Sequence, residues 1–221
     1  MAEIKAILLN AMGSDLTVVN AARVSFDKES VWVREWELSD RDTKLIHYLA
    51  KHNHWSPFAH CTASFRVSAP VFVARQLQKH TVGLAWNEVS RRYVDTEPTF
   101  YQPEAWRKRA KNVKQGSSET ETVDHGQDYH YKTALNFCMS AYEHMLNVGI
   151  CPEQARMVLP QSMMTEWIWT GSLYAFARVC NLRLDSHTQK ETRIVAKQIS
   201  DHMDGLFPVS WSALVSVQSP D

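Results

Sequence analysis

At 221 residues, with 44% apolar and 22% charged side chains and a formal net charge of zero, the chain fits one sizeable soluble domain. Charge balance argues against coating of nucleic acid or a polybasic membrane contact, while a local group of arginines can still hold one small anion. The longest apolar runs, such as 69–74, are far too short to span a bilayer, and no basic region followed by a long apolar stretch opens the chain, so a cytoplasmic protein without a membrane partner is expected.

In chain order, residues 4–9 read as a short strand, and Met12, Gly13, Ser14 and Asp15 as a turn with a helix cap. Leu16, Val19, Ala22 and Val24 keep helical spacing; 27–37 is charged, with interspersed tryptophan, and is expected to be an irregular exposed connection. Ser39 and Asp42 form a capping box in which Asp42 reaches back to the Ser39 amide, opening a helix that runs to about Lys51. The next segment holds Pro57 and three histidines, His52, His54 and His60. A polar loop lining a ligand pocket is expected there, with zinc as the competing reading.

Apolar Cys61, Ala63, Phe65 and Val67 alternate with polar neighbours, which predicts a half-buried strand. Pro70 then opens a helix that buries Val71, Phe72, Ala74 and Leu77 and breaks near Gly83, with Arg75 and Lys79 on one face. An extended 87–93 would put Glu88, Ser90 and Arg92 on one side and Val89, Arg91 and Tyr93 on the other. Pro98 and Pro103 bracket an aromatic turn, and about 107–124 is a polar excursion within one domain covering 1–221. A helical stripe from Ala134 to Leu146 ends near Gly149, Pro152 starts another helix, 165–170 reads as a strand, 173–182 as a helix ending at Arg183, and 186–206 as a last long helix. The expected fold is α/β of the α+β type, a single domain with a mixed or antiparallel sheet flanked by helices. The four cysteines, Cys61, Cys138, Cys151 and Cys180, show no Cys-x-x-Cys pair and are expected to be buried structural thiols.

The chemistry concentrates in 75–93, where Arg75, Lys79, His80, Arg91 and Arg92 stand beside Gln76, Asn87, Glu88 and Ser90. Guanidinium forks, an ammonium and amide donors suit a small anion such as phosphate, although a solvated charged face has the same composition.

Several separated blocks then carry a resemblance. They are Ala21-Ala22-Arg23-Val24-Ser25-Phe26, His54-Trp55-Ser56-Pro57-Phe58, Phe72-Val73-Ala74-Arg75-Gln76, Asn87-Glu88-Val89-Ser90-Arg91-Arg92-Tyr93, Ala155-Arg156-Met157-Val158-Leu159-Pro160 and Asn181-Leu182-Arg183-Leu184-Asp185-Ser186-His187. In this order and over nearly the whole chain they resemble the flavin-dependent thymidylate synthases. That family's signature is Arg-His-Arg, seven residues, then Ser; here Lys79-His80-Thr81 is followed by eight residues before Ser90. Lys79 keeps a charge without a bidentate fork and Thr81 removes one. Ala59 stands where the family usually has glutamate, and Ser172 and Tyr174 where it has asparagine and arginine.

The resemblance implies reductive methylation of dUMP to dTMP, with methylenetetrahydrofolate as carbon donor, FAD as hydride carrier and NADPH as reductant, in a homotetramer with active sites between subunits. By motif position, Gln76, Lys79, Glu88, Ser90, Arg91, Arg92, Arg156 and Arg183 would bind dUMP, with Arg183 catalytic. Ser56, Lys79, His80, Thr81, Glu88, Ser172, Tyr174 and Arg178 would bind FAD, and His54 would lie on the folate side; no metal is implied. Two other readings stay open: a flavin- or nucleotide-binding protein that has lost turnover through the Lys79 and Thr81 changes, and a metal-dependent phosphohydrolase on His52, His54 and His60.

Overall fold

Alternation of apolar and polar residues from Cys61 onward builds the centre of the molecule. A computed structural model of the chain describes residues 2–94, 96–111, 116–123 and 126–215. In order they form β1 (Lys5–Met12), α1 (Asp15–Arg23), α2 (Asp40–Lys51), β2 (Thr62–Pro70), α3 (Val71–Leu77), β3 (Leu84–Glu88), β4 (Trp106–Arg109), β5 (Ser117–Val123), α4 (Gly126–Asn147), α5 (Pro152–Ala155), β6 (Met164–Ser172), α6 (Leu173–Arg183), α7 (Lys190–Leu206) and α8 (Pro208–Leu214). Four strands make an antiparallel sheet in the order β1, β2, β6, β3, while β4 and β5 form a separate antiparallel pair.

Side chains on successive strand residues point to opposite faces, so the period-two pattern of β2 separates two environments. Ala63, Phe65, Val67 and Ala69 are buried, and across the register Phe65 faces Trp169 and Val67 faces Trp167. Phe176 of α6 meets both Phe65 and Trp169 edge to face, and α7 brings the His202 ring to 5.9 Å from Phe65. The opposite face is polar: Ser64 and Thr170 hydroxyls lie 2.8 Å apart, and Arg66 pairs with Glu166 at 3.2 Å. Asp15, near the chain's start, accepts from the amides of Val209 and Ser210 at 3.0 and 2.9 Å, capping α8 and closing the core from the far end of the sequence.

Several expectations are corrected. Asp42 does not return to the Ser39 amide: Asp42 Oδ2 accepts from the Ser39 hydroxyl, and its other oxygen is claimed by Arg23 and the Ser30 hydroxyl. Burial works to raise the Asp42 pKa, but those hydrogen bonds more than offset it and hold the carboxyl below its usual range. In α3 the buried residues are Val73, Ala74 and Leu77, and the helix ends at Leu77, so Lys79 lies beyond it and shares no helical face with Arg75. The last long helix, α7, begins at Lys190 and not at Ser186, since Asp185 turns the chain by accepting from the His187 amide. α4 contains the expected stripe but begins earlier, at Gly126, and of its described side chains only Tyr142 is buried while Phe137 stays 73% exposed. Leu135, Cys138, Ala141, Met145 and Leu146 of its stripe are half-buried. Cys61 and Cys180 are buried as expected, whereas Cys138 is half-buried and Cys151, the residue that precedes α5, is exposed. Within the expected polar excursion, 112–115 and Asp124 lie outside the described residues; the remainder includes the β4–β5 hairpin.

Candidate active site

Pro70 ends β2 and lets the chain turn into α3, whose first amides are taken by the 161–163 segment: Val71 N donates to the Met163 carbonyl and Phe72 N to that of Gln161. This places Gln76 against the start of α7. Gln76 Nε2 donates to Gln189 Oε1 at 2.5 Å, and Gln76 Oε1 accepts from Thr192 Oγ1 at 3.0 Å. Gln76 and Gln189 line a cavity of about 530 Å³ together with Arg183, Arg107, Ser117 and His187. Arg107 is fixed there by a buried ion pair, both oxygens of Glu191 accepting at 2.9 Å while its Nε donates to the Ser117 hydroxyl at 2.8 Å. Burial and the neighbouring Glu191 push the Tyr101 phenol up to about 12.

The loop after α3 returns through Gly83, whose φ of +75° is one that residues with a Cβ rarely adopt. A Cβ at Gly83 would come within 3.2 Å of Ala175 Cβ, so this loop lies on the first turn of α6, where the Ser172 hydroxyl accepts from the Ala175 amide. The loop carries His80 inward. Arg183 Nε donates to His80 Nε2 at 2.9 Å, which requires a neutral ring with its proton on Nδ1. Burial, then the charges of Arg183 and Arg178, hold the His80 pKa below its ordinary 6.5. A basic pair thus becomes a donor–acceptor pair, and the guanidinium ends of Arg183 remain available beside Gln76.

A second cavity, of about 410 Å³, opens where β3 leaves the sheet, and includes Glu88, Arg91, Arg156, Thr165 and Glu166 in its lining. Glu88 accepts from the Thr165 hydroxyl at 2.8 Å and from Trp86 Nε1 at 3.1 Å; Trp86 itself stacks on Trp167 with ring centroids 4.3 Å apart. Val89 continues the pairing through the Glu166 carbonyl, but the chain then curls, with Tyr93 N and Val94 N both donating to the Ser90 carbonyl. The expected extended strand over 87–93 therefore stops at Glu88, and Ser90, Arg91 and Arg92 follow a turn instead of alternating. Arg91 donates to the Thr96 carbonyl, and the Arg92 guanidinium sits 5.0 Å from the centre of the Tyr93 ring.

Of the residues singled out from sequence, Gln76 and Arg183 share one cavity and Glu88, Arg91 and Arg156 share the other, with no residue common to both linings. Ser172, Tyr174 and Arg178 stand on the first two turns of α6, near the loop bearing Thr81 and His80, and the Tyr174 ring reaches Trp55, next to Ser56, at 6.4 Å. Glu88 is not among them: Leu84 pairs with Gly171 and Glu88 with Trp167, so it lies four strand residues, about 13 Å, from that end of β3. Lys79 is exposed and lines neither cavity. His54 is exposed beside Tyr48, and no group of three His, Cys, Asp or Glu is close enough to hold a metal ion among the described residues, which leaves His52, His54 and His60 without a common centre. Gln189, Thr192, Arg107 and Ser117 went unmarked in sequence; the one available signal for the first two was their position just after the block ending at His187.

Comparison with known proteins identifies the family. The family model described as thymidylate synthase complementing protein matches residues 7–209. Among curated relatives, a flavin-dependent thymidylate synthase of Thermus thermophilus is 38% identical over 206 residues, 93% of this chain and 73% of that one. Another from Kosmotoga olearia is 35% identical over 211 residues, 95% of this chain and 89% of that one. The crystal structure of a UMP/dUMP methylase, PolB from Streptomyces cacaoi, bound with 5-Br dUMP, superposes with a TM-score of 0.83 at 30% identity, covering 97% of this chain and 98% of that one. The chain belongs to the thymidylate synthase complementing protein family, and its relatives are flavin-dependent thymidylate synthases.

Proposed function

We propose that this chain, acting as one domain over its whole length, methylates dUMP to dTMP, with methylenetetrahydrofolate as carbon donor, FAD as flavin and NADPH as reductant. The observation that carries the reading is the hydrogen bond from Arg183 to His80, which joins a nucleotide-side residue to a flavin-side loop at the edge of the cavity lined by Gln76. The relatives' dependence on flavin and the pyrimidine nucleotide bound to PolB support it.

The residues present fit a flavin dinucleotide in kind. The 78–83 loop lies close on the first turn of α6, the aromatic Tyr174 and Trp55 offer faces, and exposed Lys79 and Arg178 offer cations for a pyrophosphate. Bound there, FAD would supply the hydride that completes the methyl group. The chain's own task is to hold dUMP and polarise it. Arg91 and Arg156, with Ser90 and Arg92 on the adjoining turn, would bind the phosphate as charge-assisted donors. Arg183 would stabilise negative charge developing on the uracil ring, making C5 nucleophilic without a covalent protein adduct. Burial supports that route: it pushes the Cys61 thiol up to about 12 and also raises that of Cys180, disfavouring thiolate at both. Cys138 and Cys151 line neither cavity.

Because nucleotide-side residues are split between two cavities of one chain, the reading also takes a homotetramer whose sites draw on more than one subunit, with exposed Phe137 and the half-buried stripe of α4 available for assembly. No helix among the described residues is long and apolar enough to cross a membrane, and a cytoplasmic location suits these substrates.

Purified protein tests the reading. Expected are an oxidised-flavin spectrum and release of the C5 proton of dUMP when the folate donor and NADPH are present, and Arg183→Ala should cut turnover by at least about a hundredfold while retaining flavin. Protein that cannot be loaded with FAD overturns the proposal. Flavin bound without dTMP formation supports instead a binding protein that has lost turnover through the changes at Lys79 and Thr81.

A further inference from the structure

The Gln76 amide is held at both ends. Its Nε2 donates to Gln189 Oε1 at 2.5 Å and its Oε1 accepts from Thr192 Oγ1 at 3.0 Å. Gln189, the residue preceding α7, and Thr192 are three apart, so both reach the same side of that helix start; Thr192 is fully buried and Gln189 half-buried in the cavity that also contains Arg183. A primary amide offers two N–H donors and two carbonyl lone pairs. These two contacts use one of each, leaving one N–H and one lone pair on a residue that lines the cavity.

That leftover pair has a direction. A free amide can present donor and acceptor in either order by rotating half a turn, and so would serve uracil and cytosine alike. Uracil shows a carbonyl oxygen beside the N3–H, whereas cytosine shows an amino donor beside an unprotonated ring nitrogen. Here the half turn would bring Gln76 oxygen against Gln189 oxygen unless the Gln189 amide turned with it, and in either case the buried Thr192 hydroxyl would lose the acceptor of its proton.

Resting on the dUMP reading above, we infer that Thr192 and Gln189 are specificity-determining residues: they fix the Gln76 amide in the orientation that reads the uracil edge and rejects cytosine. Neither touches the nucleotide; both act by positioning Gln76.

The test is calorimetric binding of dUMP and dCMP to FAD-loaded, full-length protein. Wild type should prefer dUMP. Thr192→Val, which keeps the shape and removes the hydroxyl, should lower the dUMP-to-dCMP affinity ratio by about tenfold, corresponding to about 1.4 kcal/mol, and Thr192→Ser should restore it. Gln189→Leu, at a half-buried position, should lower the same ratio and stands in if the valine variant does not fold. A ratio unchanged in Thr192→Val or Gln189→Leu, or one that serine fails to restore, overturns the inference while leaving the dUMP reading intact. Wild-type protein that binds neither nucleotide overturns both.

Discussion

At the scale of single residues, the contact between Arg183 and His80 makes the site sensitive to acid in a defined direction. The ring must be neutral to accept from Arg183 Nε, and an imidazolium there would both lose the bond and repel Arg183 and Arg178, with Lys79 next to it in the chain. Burial first, and then the two arginines, place the folded-state pKa below the ordinary 6.5. The unfolded chain therefore takes up a proton at pH values where the folded ring stays neutral. His80's contribution to stability is complete above the unfolded value and is lost as pH falls from there through the folded pKa. The His80-dependent part of nucleotide affinity follows the folded pKa: for FAD-loaded protein, the difference in dUMP affinity between wild type and His80→Asn, which cancels the phosphate's own second ionisation at about 6, should stay level from about pH 8 down past 6.5 and fall only below it. An acid limb of that difference centred at or above 6.5 in a calorimetric pH series would show that His80 is not the group that holds Arg183.

At the scale of elements, β3 is the support on which half of the candidate site stands, and its seat against β6 leaves no room at Gly171. A Cβ there would fall 2.3 Å from Leu84 Cδ2 and 2.9 Å from the Gly83 carbonyl oxygen. The leucine tip can swing away, but the backbone oxygen cannot move without lifting the start of β3, so Gly171→Ala should cost about 1–3 kcal/mol in denaturant unfolding. It should also weaken flavin retention, since Gly83 borders the loop that carries His80. A stability equal to wild type would mean that β3 is free to shift. β2 was legible in sequence because one face is buried and the alternation from Cys61 to Val67 records that face directly. β4 and β5 were not, because Trp-Arg-Lys-Arg and Ser-Ser-Glu-Thr-Glu-Thr-Val carry no alternation of apolar residues; they are held instead by cross-strand pairing and by Arg107 reaching Glu191, 84 positions away. α8 was missed for a related reason: seven residues give no period to read, and its cap, Asp15, comes from the other end of the chain. The family blocks named Gln76 and Arg183 and the altered signature triplet named His80, but the bond between His80 and Arg183 spans 103 positions and no spacing rule contains it.

At the scale of the whole molecule, the two cavities pose a geometric question that a single chain does not answer. Gln76 and Arg183 line one, Glu88, Arg91 and Arg156 the other, and a nucleoside monophosphate needs base-side and phosphate-side groups at one place. In the homotetramer proposed above, the first cavity of one subunit would face the second cavity of its neighbour, and the same assembly would cover Phe137 and the half-buried residues of the α4 stripe. The arrangement makes a prediction that no mutation in a self-contained site could mimic. Arg183→Ala and Arg156→Ala proteins, each inactive alone, should regain activity when unfolded together and refolded as a mixture. In random assembly a composite site receives an intact first half and an intact second half with probability one half each, so about a quarter of wild-type turnover should return at equal mixing. Refolding each variant separately and then combining them without subunit exchange should return none. Activity that stays absent in the co-refolded mixture, with oligomers of both variants present by mass, would place both arginines in the site of a single chain and remove the shared-site reading.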